Sequence, residues 1–516
     1  MNSRHGFGFS GLVWLCLVGS AGAQAPPRAL TEQQAVAAAV THNPTLHVAL
    51  LRASQSRYTL SAEQALYTPV FDANAGYTRS RTPSLFGADA VRIGTSDVLG
   101  LGAGISKPFS FGTVLSASLQ GERTLRYSST EDLLAGGARG PGYGLIGQLS
   151  LTQPLLRGAG NDVGLASVRQ AKLSLGASEL AAQEAASVLL SQVVSAYWEL
   201  WYAGEVVRIN EASLELTKAQ QEQANQQVAS GALAPASALP YATRVAELEE
   251  AALNARTEVT RRELALLQLL GQPEAWADTL AASESPSVLS ADEPALGPAV
   301  SEALASSYAR RQLQAQLAIT KDQLKVAGDP LRSRLDLNAY VQAQGLGNRR
   351  VPPAFAQFGR MEAVSAHVGL TFETPLSDTR RSAQIQAAQL GSHVVEKQIR
   401  EQELAIRAGV ASAIAQRRAS RERLELSART EKVARQQAEA ERARFQAGGS
   451  IAIVVQEAED SLRQAQLRAQ RARVELVLAD LELAELRGQL LARYSSAIQA
   501  LPASERVTLT STHTNF

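Results

Sequence analysis

Two stretches of this chain carry the period of a very long helix, and short alternating stretches lead into each. From about Asp162 to Ala229 there is no proline, and Leu173, Leu180, Ser187, Val194 and Trp201 recur every seven residues. The spacing predicts one helix over 162–229, about 100 Å long at about 1.5 Å per residue. That exceeds any ordinary globular helix and suits coiled-coil packing. Gly231 supplies a turn, and a return helix is expected over 233–270, ended by Gly271 and Pro273. The same order recurs downstream: a long helix over 378–446, a turn at Gly448-Gly449, and a return helix over 451–499. Alternation of apolar and polar residues predicts strands at 70–80 and 143–153, with a further pair at 98–122, and at 334–344 and 362–374. Shorter helices are expected from Thr31 to Asn43, from Pro44 to Tyr67, and over 295–307 and 309–327.

The chain therefore reads as one unit made twice. Gly231 and Gly271 lie 40 residues apart, as do Gly448 and Gly488, and an offset of 217 carries the first pair onto the second. FDANAGY at 71–77 reads like LDLNAYV at 335–341, and SLTQPL at 150–155 like TFETPL at 371–376. Such self-similarity predicts two pseudo-equivalent halves packed together. The first half covers 24–271 and the second 294–500, with a Pro- and Ser-rich join at 272–293 and a polar, loosely held tail at 501–516.

Composition narrows the class. Aromatic residues make up only 5% of the 516, low for several conventional cores. A net charge of +1 gives no electrostatic case for nucleic acid. Residues 1–23 read as a secretory signal, with Arg4 and His5 before the apolar GLVWLCLV and a small-residue cleavage site at Ala21-Gly22-Ala23. Cys16, the one cysteine, lies inside that signal, so the exported chain is expected to hold no disulfide. Beyond the signal no run of about 18 apolar residues appears, so a membrane would be crossed only as a β-barrel.

The NP pair Asn43-Pro44, the strand-ending QPLLRG at 153–158, AYWEL at 196–200 and both glycine-turn hairpins, taken in order, resemble the TolC family of outer-membrane efflux and secretion channels. The resemblance covers essentially the whole mature chain. It implies a mostly α fold with a small β part: long antiparallel coiled-coil helices forming an α-barrel, joined to a transmembrane β-barrel shared by a homotrimer. It implies four strands per protomer, twelve per trimer, and an equatorial collar formed partly by the join at 272–293 and the C-terminus. The implied function is a passive exit duct of a tripartite efflux pump or type I secretion system. Its partners would be a periplasmic adaptor, an inner-membrane pump and outer-membrane lipid; its location, the outer membrane extending into the periplasm. Elementary physics agrees in part, because four strands cannot close around a lumen and open edges in lipid are not viable.

One departure stands out. Phe71 to Pro154 spans 83 residues where Leu335 to Pro375 spans 40, and the excess holds the pair at 98–122. That pair is expected as an extracellular or rim elaboration, the alternatives being longer strands or two more strands per protomer.

Candidate chemistry is sparse. GLGAGISK at 100–107 lacks the Gly-Lys-Ser/Thr of a phosphate loop, and Pro108 forbids the helix that should follow. His42 and His47 are five apart without a third ligand, so no metal is expected. No catalytic constellation, cofactor motif or nucleic-acid motif appears, and the chain is not expected to be an enzyme. Tyr197, Trp198, Trp201 and Tyr202 read as packing between helices. In the resembled family, acidic residues after each tip glycine ring a closed periplasmic aperture. The matching positions here are Ser237 and Val454, so the usual double ring is thinned. Glu457, one turn on, is its expected main survivor, with Asp460 a further turn away; an ordinary exposed glutamate is the plain alternative. The tip turns Ser230, Gly231, Ala232 and Leu233, and Ala447, Gly448, Gly449 and Ser450, are expected to dock the adaptor. The rival readings are a soluble periplasmic coiled-coil adaptor or scaffold, which predicts no barrel, and a secreted enzyme on a helical scaffold.

Overall fold

The computed structural model describes residues 28–86, 90–127, 141–272, 280–286 and 294–510. The expected signal at 1–23, Pro273 and most of the join at 272–293 lie outside these residues. In chain order the elements are β1 (Arg28–Leu30), α1 (Glu32–His42), α2 (Pro44–Ala65), β2 (Val70–Phe86), β3 (Ala90–Pro108), β4 (Val114–Tyr127) and β5 (Gly142–Pro154). There follow α3 (Asn161–Gly164), α4 (Ala166–Ala229), α5 (Leu239–Leu270), β6 (Leu280–Ala282), α6 (Leu296–Ser306) and α7 (Tyr308–Val326). The chain ends with β7 (Arg334–Asn348), α8 (Pro352–Gly359), β8 (Ala363–Glu373), α9 (Thr379–Gln446), α10 (Ala452–Leu486), α11 (Leu490–Arg493), α12 (Ser495–Ile498) and α13 (Ala503–Thr510).

These elements form two compact units. The first holds the described residues of 1–35, 193–286 and 427–474. Its helices meet through small apolar side chains. On α10, Val455, Ala458, Ala465, Ala469 and Ala472 are all buried at heptad spacing. Alanine at such positions lets backbones approach closely. Leu214 of α4 packs with Val245, Leu248 and Ala252 of α5 in one cluster. The aromatic group expected to pack does so. Tyr197 is fully buried; its hydroxyl donates to the Leu30 carbonyl at 3.0 Å and accepts from the Glu284 amide at 3.3 Å. Trp198 donates to Glu32 at 2.9 Å. These bonds hold the parallel pair β1–β6, which joins the start of the chain to the described part of the segment between halves.

The second unit holds the described residues of 36–192, 287–426 and 475–516. It contains an antiparallel sheet of order β2-β3-β4-β5-β7-β8. Here the structure corrects the sequence reading. The pair expected as a rim elaboration is β3 and β4, two full members of the sheet. Val70–Phe86 pairs with β3 residue for residue, and β3 pairs with β4 from Thr95–Tyr127 to Pro108–Val114. The tight turn between Pro108 and Val114 passes through Gly112 at φ +94°, where a side chain would meet the Gly158 carbonyl and Pro154. In the same unit, Ala299 and Ala303 of α6 pack against Ile406, Val410, Ala413 and Ile414 of α9 and Leu483 of α10.

Two more boundaries differ from expectation. The last long helix stops at Leu486 rather than 499, because Gly488 takes φ +67° and closes a Schellman turn. The tail is not loosely held through Thr510: it forms α13, with Leu501, Thr508 and Leu509 buried and Gln183 donating to the Thr508 carbonyl. Residues 511–516 lie outside the described residues.

Candidate channel wall and hairpin tips

Successive strand residues face opposite sides, and directly paired residues share a side. The register therefore assigns every residue of the six strands to one of two faces. Odd-numbered residues form one face. It carries Phe71 and Tyr77 of β2, Leu99, Leu101 and Ile105 of β3, Leu115 and Leu119 of β4, Leu149 of β5, Val341 of β7, and Leu370 and Phe372 of the paired β8 register. All of these are exposed, and Val368, on the same β8 register opposite Ala339, is 74% exposed. Even-numbered residues of β2 to β7 form the other face: Asp72, Asn74 and Thr78; Gly100, Gly102 and Gly104; Ser116, Ser118 and Gln120; Gln148 and Ser150; Asn338, Gln342 and Gln344. One face is a continuous apolar surface and the other is polar and glycine-rich. That is the division of a barrel wall with lipid on one side and water on the other.

Across the loop end of the apolar face runs a row fixed by register: Tyr77 opposite Leu99, Leu99 opposite Arg123, Arg123 opposite Tyr143, and Tyr143 opposite Gly347. One row beyond stands Arg79, paired with Asp97 at 3.4 Å. Short α8 lies on this same face. A side chain added at Gly147 would meet the Phe358 ring at 2.6 Å, and one added at Gly345 would meet the Ala354 carbonyl. The Gln357 side chain accepts from the Leu346 amide at 3.0 Å.

In the first unit the two hairpin tips are built alike. Gly231 has φ +75° and Gly448 φ +76°, a conformation that glycine takes at little cost. In both, the glycine amide bonds three residues back, to Val228 or Phe445, and the next amide bonds five residues back, to Gln227 or Arg444. This is the Schellman closure. No atom lies within 4 Å of a Cβ added at either glycine, so the turn geometry and not lack of space selects them. Ser230, Ala232, Ala447 and Gly449 are exposed, while Leu233 and Ser450 are half-buried. Ser450 donates to Glu441 at 3.1 Å. After the first tip, Pro235–Ala238 forms a 3-10 turn, so the return helix begins at Leu239 rather than 233.

Of the expected aperture residues, Glu457, Val454 and Ser237 are exposed. Asp460 is not. It accepts from Arg463 at 2.7 Å, from Gln464 at 2.7 Å and from Arg244. Burial alone would raise its pKa, but the hydrogen bonds and charges of Arg463 and Arg244 prevail and hold the carboxyl below its usual range. Next to it Glu459 accepts from Arg442 at 2.6 Å and from Gln220 at 2.9 Å. A cavity of about 160 Å³ lies among these groups, lined by Thr217, Arg244, Arg442, Gln456, Glu459 and Asp460. Sequence reading missed this network. Only its within-helix pairs are visible in sequence: Arg244 with Glu247 and Asp460 with Arg463 stand three apart, on one helical face.

Among the described residues no cluster of His, Cys, Asp and Glu could hold a metal ion, and no helix is long and apolar enough to cross a membrane. No curated protein matches this chain. Residues 299–489 match the outer membrane efflux protein family. Solved structures match over most of its length. The CmeC outer membrane channel of Campylobacter jejuni is 14% identical, with 93% of this chain and 89% of that chain covered and a TM-score of 0.66. The outer membrane protein VceC of Vibrio cholerae is 16% identical, covering 89% and 96%, with a TM-score of 0.64. The outer-membrane channel OprN is 18% identical, covering 89% and 90%, with a TM-score of 0.65. Nearly the whole length of this chain has the fold of these outer-membrane channels, and its residues 299–489 carry the likeness to the outer membrane efflux protein family.

Proposed function

We propose that this chain is the outer-membrane channel-tunnel of a tripartite efflux pump or type I secretion system. It is a passive exit duct and catalyses no reaction. The observation that carries the reading is the two-faced sheet, apolar on one side and polar on the other, with β2 and β8 as open edges. An open edge in lipid leaves backbone groups unpaired, so the sheet must close with other copies. Three copies of six strands would close an eighteen-stranded barrel, where the resembled family closes twelve. A soluble periplasmic scaffold would have no use for so large an apolar face.

In this reading the loop end of the sheet faces outward and the helices enter the periplasm. The tips at Gly231 and Gly448 dock the periplasmic adaptor, which receives substrate from an inner-membrane pump. Small exposed side chains around both tips support that role. Three copies of Glu457 converge near the axis as the acidic ring of the aperture, while Asp460 and Glu459 brace the helices behind it. The test is extraction followed by mass measurement. The protein should leave membranes only in detergent and weigh three chains; a detergent-independent monomer would overturn the reading.

A further inference from the structure

We propose that the outer end of the apolar face is a binding surface for the phosphorylated glycolipid of the outer leaflet, seated between α8 and the sheet. The proposal rests on the channel reading above, which makes the odd-numbered face the lipid side and the loop end the external one.

Two independent features meet there. The first is an apolar groove of about 180 Å³ between α8 and the sheet, lined by Leu99, Leu101, Leu145, Val351 and Phe355, with Tyr143 at its side. Glycines make the groove possible. Gly345 and Gly147 bring α8 down onto the strands, where side chains would lift it away. Phe355 on α8 is 56% exposed and Met361, just after the helix, 70% exposed, so this segment presents apolar groups both to the groove and outward. A short helix with that surface, lying along a barrel wall, sits at the headgroup–acyl boundary.

The second feature is charge. Arg123 also lines the groove. Arg81 stands two residues beyond Arg79 on the same face, and Arg350 passes over Gly347 at the start of the α8 segment. All three are exposed and form no ion pair among the described residues. Among the described residues, Asp97 is engaged with Arg79 at 3.4 Å and Glu362 with Arg360 at 3.4 Å, while Glu122, which also borders the groove, occupies an even position with its side chain beside Gly144 on the other face. Guanidinium groups within and just beyond the row that holds Tyr77 and Tyr143 are matched by phosphate, which arginine binds through paired hydrogen bonds. An acyl chain in the groove would place a phosphate beside Arg123. A membrane lipid satisfies both features at once; a free anion satisfies only the second.

The experiment uses the purified full-length trimer in detergent, mixed with bisphosphorylated lipid A, dephosphorylated lipid A or phosphatidylglycerol, and weighed intact. Wild type should retain bisphosphorylated lipid A through detergent washing, and the other two lipids much less. The double variant R123Q/R350Q should lose about tenfold in lipid A affinity, the size expected for removing charge-assisted phosphate contacts. Its trimer content and single-channel conductance should stay at wild-type values, because Arg123 is on the apolar face and Arg350 lies beyond the end of β7. Equal retention of phosphorylated and dephosphorylated lipid A, or of lipid A and phosphatidylglycerol, overturns the proposal. So does a double variant that binds like wild type. A protein that forms no conducting trimer in a planar bilayer overturns the channel reading itself, which keeps the two failures apart.

Discussion

Removing β3 and β4 should shrink the barrel by an amount that strand geometry fixes in advance. The register gives the place to cut. Thr78 lies opposite Val98, Val98 opposite Thr124, and Thr124 opposite Gly142. Replacing residues 79–141 with Asn-Gly, a favoured two-residue hairpin turn, would set Thr78 directly opposite Gly142. Tyr77 then meets Tyr143 and Phe71 meets Leu149, so the apolar residues of both strands stay on one side. Each protomer keeps four strands of its six. With strands about 4.8 Å apart and tilted about 40°, eighteen strands close at a radius of about 18 Å and twelve at about 12 Å. The enclosed cross-section falls about twofold by the same geometry. The assay is end-on imaging of the wild-type and shortened trimers in lipid nanodiscs. A shortened trimer with the wild-type barrel diameter would refute the reasoning, since β3 and β4 would then lie outside the closed wall. Loss of the trimer altogether would mean that this pair supplies a subunit edge contact, which the proposed β2–β8 closure forbids.

Three further outcomes follow from the tips. Glu457→Gln should lower the cation/anion permeability ratio in planar bilayers and weaken block by divalent ions; unchanged values would return Glu457 to an ordinary exposed side chain. Gly449→Trp should impair export while leaving the trimer level intact, and normal export would count against docking there. Asp460 has a lowered pKa in the folded chain, so its bracing is complete above the ordinary aspartate range and is lost as pH falls through the lowered value. Conductance at neutral pH should match between wild type and an acid-treated sample returned to neutrality, rise in wild type only in strong acid, and be high at every pH in Asp460→Asn; an Asp460→Asn channel indistinguishable from wild type at neutral pH would remove Asp460 from the brace.

Much of this architecture was legible because its signals are local. Each long helix announces itself through a seven-residue period and the absence of proline, and Leu180, Ser187 and Val194 are indeed buried. Gly231, Gly271, Gly448 and Gly488 all take positive φ, which is what the paired spacing demanded. The expectation still ran the last helix past Gly488, because apolar periodicity continues through Leu490 and Leu491 while a single backbone torsion ends the helix. Sheet order was harder. β3 and β4 have clear strand patterns, but nothing in a strand's own residues says which neighbour it joins. The brace at the tip was hidden for a related reason: Arg244 and Asp460 are 216 positions apart and meet only once the facing sides of their helices are known.

The extra hairpin also bears on how such a fold can grow. β3 runs opposite to β2, and β4 restores the original direction. A chain that gains two strands therefore re-enters β5 with its heading unchanged and its side chains on the same faces. A gain of one strand would send every later helix to the wrong side of the membrane. Size in this architecture is thus quantised in hairpins, and with three copies the smallest heritable step is six strands around the ring. A lineage can widen its wall in one such step while the helices and both glycine turns carry on undisturbed.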